Sequence, residues 1–177
     1  MAEIYDLPNV DAFTTGTLGR PGERTFFLQA RAAGHTVSVK CEKQQVDALS
    51  TYLGRLLEDL PTPPDRPHPD ALDLAEPVLP AFVLGSIGVA FDEDADLVVL
   101  HLEELVVTGD AEEDAATEAA SEPSGAEDAA RLHVRITRGQ ARAFCDRAAG
   151  IVAAGRPACR FCGLPIDIDG HICPRMN

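Results

Sequence analysis

Val37, Val39 and Cys41 alternate with Ser38 and Lys40, the period of two expected for a strand with one buried face. Immediately downstream the period changes. Val46, Leu49, Leu53, Leu56 and Leu57 recur at three- and four-residue intervals and mark one apolar stripe on a helix over about 43–59. The same sequence of patterns occurs later. His133-Val-Arg-Ile-Thr-Arg-Gly-Gln140 aligns with Ser38-Val-Lys-Cys-Glu-Lys-Gln-Gln45. It is followed by Ala141, Phe144, Ala148, Ile151 and Val152 at the spacing of the first helix. Thr137 and Gln140 form a capping-box pattern at the start of this second helix, which the sequence ends near Gly155.

Extending the repeat backwards gives three strands before each helix. In the first unit they fall near 11–19, 25–32 and 35–41, with Arg20-Pro-Gly-Glu and Ala33-Gly-His as turns. In the second they fall near 82–91, 96–106 and 131–136, with Asp92-Glu-Asp-Ala as the first turn. Phe13-Thr-Thr-Gly-Thr-Leu-Gly19 matches Phe82-Val-Leu-Gly-Ser-Ile-Gly88 and extends the repeat to the first strands. The predicted fold is α+β: duplicated β3α units, an antiparallel sheet carrying two helices, with the units related by a pseudo-twofold. The first unit covers 1–60 and the second 82–155. A stiff linker over 61–81 opens with Pro61-Thr-Pro-Pro-Asp-Arg-Pro-His-Pro. An acidic insertion at 108–130, eight acids with no basic partner and no large apolar residue, reads as disordered.

Charge is unevenly placed. The chain of 177 residues has net charge −14, yet residues 131–177 hold 8 Arg against 3 Asp. The acidic remainder repels phosphate over most of the surface and argues against a general nucleic-acid binder. No apolar run approaches the ~20 residues that cross a bilayer. The acidic N-terminus lacks the basic start of a signal peptide, and five cysteines, an odd number, do not form a closed disulfide framework. The expected location is the cytoplasm.

The tail, 156–177, carries the strongest chemical signal. Cys159-x2-Cys162 is followed by His171-x-Cys173, with Gly163-Leu164-Pro165 between the pairs. A C-x2-C pair presents two thiolates from one tight turn, and Gly163 lets the backbone curl around an ion. His171 and Cys173, two apart, share one side of an extended segment. Together they make a Cys3His set, the closed structural kind of zinc site. A redox C-x-x-C would open a helix in a thioredoxin-like unit, and no such unit surrounds this one. His171 is the ligand whose replacement by water would open the site to chemistry.

Other constellations are weaker. Lys40 and Arg135 fall at equivalent strand positions, and Lys43 and Arg138 at equivalent helix starts. Brought together at a pseudo-twofold interface, they would form an anion site near helix N-termini; duplicated basic residues also arise as a duplicated solvent face. Gly16-x2-Gly19 and Gly85-x2-Gly88 lack phosphate-loop spacing and read as close packing or a bulge within strands. His101 and His133 lie on predicted strands, His35 in a turn and His68 in the linker, none with an i, i+4 partner. Cys41 and Cys145 read as core residues. No nucleophile–base pair is arguable.

Three stretches carry a family likeness: Tyr5-Asp-Leu with Asp11-x-Phe13-x2-Gly16-x2-Gly19, then Phe26-Phe-Leu-Gln29-Ala-Arg31, and the tail itself through Pro174-Arg175-x-Asn177. They resemble an uncharacterised actinobacterial family, a domain of unknown function, over essentially the whole chain except the acidic insertion. The resemblance implies a zinc-bearing cytoplasmic protein and no established reaction. It also implies company in the genome, a histidine-phosphatase-like and a phosphoinositide-kinase-like protein.

The leading functional expectation is a non-enzymatic interaction or adaptor protein that presents a zinc-stapled tail to a protein partner. Phe161, Leu164, Ile166 and Ile172 are too many apolar residues for so small a knuckle to hide, and are expected on the second helix or in a partner. The alternatives are an enzyme or sensor for a small anionic, phosphorylated ligand at Lys40, Lys43, Arg135 and Arg138, and nucleic-acid binding through Arg156, Arg160 and Arg175.

Overall fold

The computed structural model describes residues 3–20, 22–63, 65, 67, 69–106, 128–154, 159–164, 166 and 171–176. Its strands are β1 (Ile4–Leu7), β2 (Ala12–Leu18), β3 (Thr25–Ala32), β4 (His35–Cys41), β5 (Pro80–Asp92), β6 (Leu97–Glu104) and β7 (Arg131–Thr137). The helices are α1 (Lys43–Glu58) and α2 (Arg138–Ala153), and a 3₁₀ turn spans Pro69–Leu72. The protein is α+β, and its described residues form seven strands in one sheet with two helices packed on it. Nearly all of the acidic insertion lies outside the described residues; so do Pro64, Arg66 and His68 of the linker.

The order three strands then a helix occurs twice, β2-β3-β4-α1 and β5-β6-β7-α2. The spatial order is β1-β7-β6-β5-β4-β3-β2, with each triplet an antiparallel meander and the two triplets joined by parallel pairing of β4 with β5. β1 adds in parallel to β7 at the far edge. Only four residues connect β1 at one edge to β2 at the other, so the sheet must curl until its edges approach each other. In accord with this, α2 contacts β2 at one edge and also β6 and β7 near the other. The helices run antiparallel: Arg138, opening α2, donates to the Pro61 carbonyl just past α1, and the Cys145 thiol reaches Ser50 O at mid-helix. Nothing in this order conflicts with the expected duplication of a three-strand and helix unit.

The inner face is the core. Phe13, Leu28, Ala30, Val37, Val39 and Cys41 from the first triplet join Leu100, Leu102, Leu132, Val134 and Ile136 from the second in one cluster. Val46, Leu49, Leu53 and Leu57 of α1 and Ala141, Phe144, Cys145 and Ala148 of α2 close it. Apart from Cys145, these are positions the helical spacing marks, while Leu56 and Val152 pack against the cluster only in part. Phe13 and Phe144 stack at 5.1 Å between centroids.

Both helices start at the aligned residues, and each capping glutamine does more than cap. Gln45 Oε1 accepts from the Glu42 N–H, while its amide nitrogen donates to the Leu84 and Gly85 carbonyls. Gln140 Oε1 accepts from the Thr137 N–H, and its amide nitrogen donates to Val10 O. Each therefore pins a break in a long strand: the β5 register shift between Leu84 and Ser86, and the gap between β1 and β2.

Register and the linker add two points to the sequence reading. The glycine-bearing stretches do not correspond in position. Thr15 faces Leu28 and Leu28 faces Val39, as Val89 faces Leu100 and Leu100 faces Val134. With the triplets aligned on Val39 and Val134, register sets Phe13 against Ile87, five residues past Phe82. The linker is also more than a spacer. Residues 71–75 cross the outer face of β2 and β3, where Thr14 donates to Leu72 O, Arg31 to Ala71 O, and the buried Gln29 amide exchanges two hydrogen bonds with the Ala75 backbone. The outer face of β5, β6 and β7 has no comparable strap among the described residues.

Candidate metal centre

Cys159, Cys162, His171 and Cys173 meet at one point, their ligand atoms all within 4.8 Å of one another. The knuckle that starts the site follows from its glycine. Gly163 sits at φ +75°, which L side chains rarely adopt. Its N–H donates to Cys159 O at 2.8 Å, and the Cys159 N–H donates to Leu164 O at 2.7 Å. The turn so closed faces both sulfurs inward. On the other arm, Met176 N–H donates to Cys173 O at 3.0 Å, forming a turn that continues past the last ligand. Arg175 ties the arms together through its guanidinium, 3.1 Å from Phe161 O. The spacing gave the ligands but not this clasp, which depends on the arms being folded together.

The donor set fits a tetrahedral ion. Metal–sulfur bonds near 2.3 Å place the sulfurs of a tetrahedron about 3.8 Å apart; Cys159 Sγ and Cys173 Sγ lie at 3.9 Å. Cys162 Sγ and His171 Nε2 lie at 3.2 Å. The backbone N–H groups of Cys162 and Phe161 aim at the Cys159 sulfur and hold its thiol below the ordinary value. Desolvation pushes the Cys162 thiol upward, with the neighbouring sulfurs adding to it. A cation shared by all the sulfurs removes that conflict. Cys159 and Cys173 are buried, Cys162 and His171 half-buried.

The four basic residues read as an anion site do not meet. Lys40 and Arg135 are exposed on the outer face of β4 and β7, with β5 and β6 between them, about 14 Å along the sheet. Lys43 and Arg138 open antiparallel helices of 16 residues, so they sit near opposite ends of a packed pair about 24 Å long. Arg138 is already held by both Asp96 carboxylate oxygens, at 2.7 and 2.8 Å, and by the Pro61 carbonyl. Cys41 and Cys145 are core residues as expected, and burial pushes the Cys41 thiol up to about 12. The apolar side chains of the tail are not hidden by α2: Phe161, Leu164 and Ile172 are exposed, and Ile166 is half-buried. Arg156 lies outside the described residues. The adjacency of His101 and His133 has no signature in sequence spacing, because only strand register brings them together.

The fold and the site together define an α+β protein with a Cys3His cluster able to bind a metal ion. The chain belongs to the family described as a protein of unknown function, DUF3090, whose model matches residues 5–173, in agreement with the resemblance of its first strand and tail. No curated protein and no solved structure gives a match. No helix among the described residues is long and apolar enough to cross a membrane.

Proposed function

We propose that the chain is a cytoplasmic zinc-stapled interaction protein whose tail docks on a protein partner. The observation that carries this reading is the pairing of two properties in one small unit: four ligands gathered around one point, and Phe161, Leu164, Ile172 and Met176 all exposed around them, Ile172 at 84%. A closed Cys3His set leaves zinc no open position and so supplies shape, not chemistry. A tail that buries so little apolar surface of its own takes its folding energy from the metal. Its exposed apolar residues, with the exposed Arg160 and Arg175 beside them, fit a partner pocket that is apolar at its centre and acidic at its rim.

The test has two parts. Elemental mass spectrometry should find one zinc per chain, lost in Cys162→Ser and in His171→Ala. A photo-crosslinker placed at position 172 should trap one protein in cells, and Cys162→Ser should abolish that adduct. Full zinc retention in His171→Ala would point to an open coordination position and to catalysis. Trapping that survives loss of the metal would remove the staple from the interaction.

A further inference from the structure

We propose a second metal site, outside the tail, on the outer face of β6, β7 and β1, formed by His101, His133 and Asp6 and suited to a borderline divalent ion such as Zn2+, Ni2+ or Cu2+. Strand register sets up the site. His101 on β6 lies directly opposite His133 on β7, and His133 lies beside Asp6 on β1. All three point away from the core, since Leu100, Leu102, Leu132 and Val134 are in it and Tyr5 and Leu7 pack against it.

The two histidines form the closer kind of antiparallel pair. Glu104 N–H donates to Ala130 O, directly opposite, at 2.9 Å, which makes that a hydrogen-bonded pair. Counting along the ladder, His101–His133 is then a non-hydrogen-bonded pair, with Cα atoms about 4.5 Å apart and side chains closest. The imidazoles are 4.6 Å apart between centroids and cross at 76°. An ion about 2.0–2.1 Å from each nitrogen lies about 3.2 Å from each ring centre, so ligand angles of 90–110° put the centres about 4.5–5.2 Å apart. The pair already has the spacing of two imidazoles on one ion.

The surroundings leave room for a cation. Across from His101 on β5 stands Gly88, so no side chain covers that flank. Asp6 and His101 are exposed. Of the neighbouring charges on this face, Arg131 is paired with Glu103 at 3.5 Å, and Arg135 lies two residues beyond His133. Asp6 supplies the negative charge, and the net charge of −14 favours cations over the surface as a whole. Among the described residues only the tail has three or more ligand atoms already gathered, so the exposed Asp6 side chain turns toward the imidazoles when the ion arrives. Two imidazoles and one carboxylate leave at least one position to water, unlike the closed tail.

The experiment uses full-length protein with the tail loaded with one equivalent of Zn2+, titrated with Ni2+ by calorimetry and with Cu2+ by electron paramagnetic resonance. The expected result is one further ion per chain with two nitrogen ligands to Cu2+. His101→Ala and His133→Ala should each abolish it, His35→Ala should leave it intact, and Asp6→Asn should weaken it at least about tenfold. In unmodified protein, Ni2+ should broaden two of the five histidine ring signals, a readout that needs no variant to fold. Absence of a further ion, broadening of other histidines, or unchanged binding in His101→Ala would overturn the site. Unchanged binding in Asp6→Asn would overturn its three-ligand form. The result is independent of the tail, whose zinc is diamagnetic and whose four ligands, Cys159, Cys162, His171 and Cys173, are left untouched by these variants.

Discussion

At the scale of single residues the five cysteines divide into two chemical classes. Cys41 and Cys145 face the core, and burial raises both thiols; the other three are gathered in the tail. With chelator present, a mild alkylating reagent should modify Cys159, Cys162 and Cys173 and spare the other two until denaturant is added, a count read directly by mass spectrometry. The Cys41 contribution to stability has a definite pH window. Its folded value of about 12 lies above the ordinary 9.0, so the contribution is fully present below pH 9 and is lost as pH rises through about 12. A Cys41→Val variant should remove that part of the alkaline destabilisation in urea titrations repeated between pH 8 and 11. Gly85 is the second residue on which much rests. A Cβ there would lie 2.8 Å from Leu105 Cα and 2.9 Å from Glu104 O, backbone atoms that cannot step aside. Gly85→Ala should cost about 1–3 kcal/mol in urea unfolding.

At the scale of elements, the strap over the first triplet makes the clearest prediction. Gln29 is fully buried on the outer face of β3. Its amide joins Ser38 Oγ at 3.0 Å and the Ala75 backbone at 3.0 and 2.7 Å. Gln29→Ala strands the Ala75 groups and Ser38; it should cost about 2–3 kcal/mol and open residues 71–76 to proteolysis in otherwise native protein. The sequence could not have shown this, because Gln29 and Ala75 sit 46 positions apart and Pro-rich segments carry no periodicity. The helices were legible for the opposite reason. Their stripes are local, and the capping glutamines fall at the same offset in both. β1 went unread because four residues, Ile4–Leu7, give too short an alternation to register, and it is held by parallel pairing with a strand more than 120 positions away. The strand-then-helix patterns of β4 and β7 were legible, because burial and helix start both constrain the residues. For β2 and β5 the glycine match stands against a register that only the partner strands reveal. The gathering of Cys159, Cys162, His171 and Cys173 was legible, since a knuckle is specified by spacing.

At the scale of the whole molecule, the question is whether the metal holds the protein together or only its tail. The core cluster draws on the sheet and both helices but on no described residue beyond Val152. Cys159 and Cys173 are buried, yet neither belongs to that cluster. The end of α2 has its own anchor, since Arg24 from the β2–β3 turn donates to Ala154 O at 2.8 Å. Arg147 adds a second through Thr15 O at 2.8 Å and Asp73 at 3.0 Å. Among the described residues, nothing in this arrangement routes core stability through the tail. Chelation should therefore leave the far-ultraviolet circular dichroism nearly unchanged and shift Tm by less than about 3 °C, roughly what 1 kcal/mol produces in a chain of this size. The tail resonances should collapse toward random-coil positions in the same sample. A chain ended after Ala154 should melt with the full-length protein. If chelation instead unfolds the sheet, the tail is a structural member of the core, and its exposed apolar residues become the edge of a larger interface.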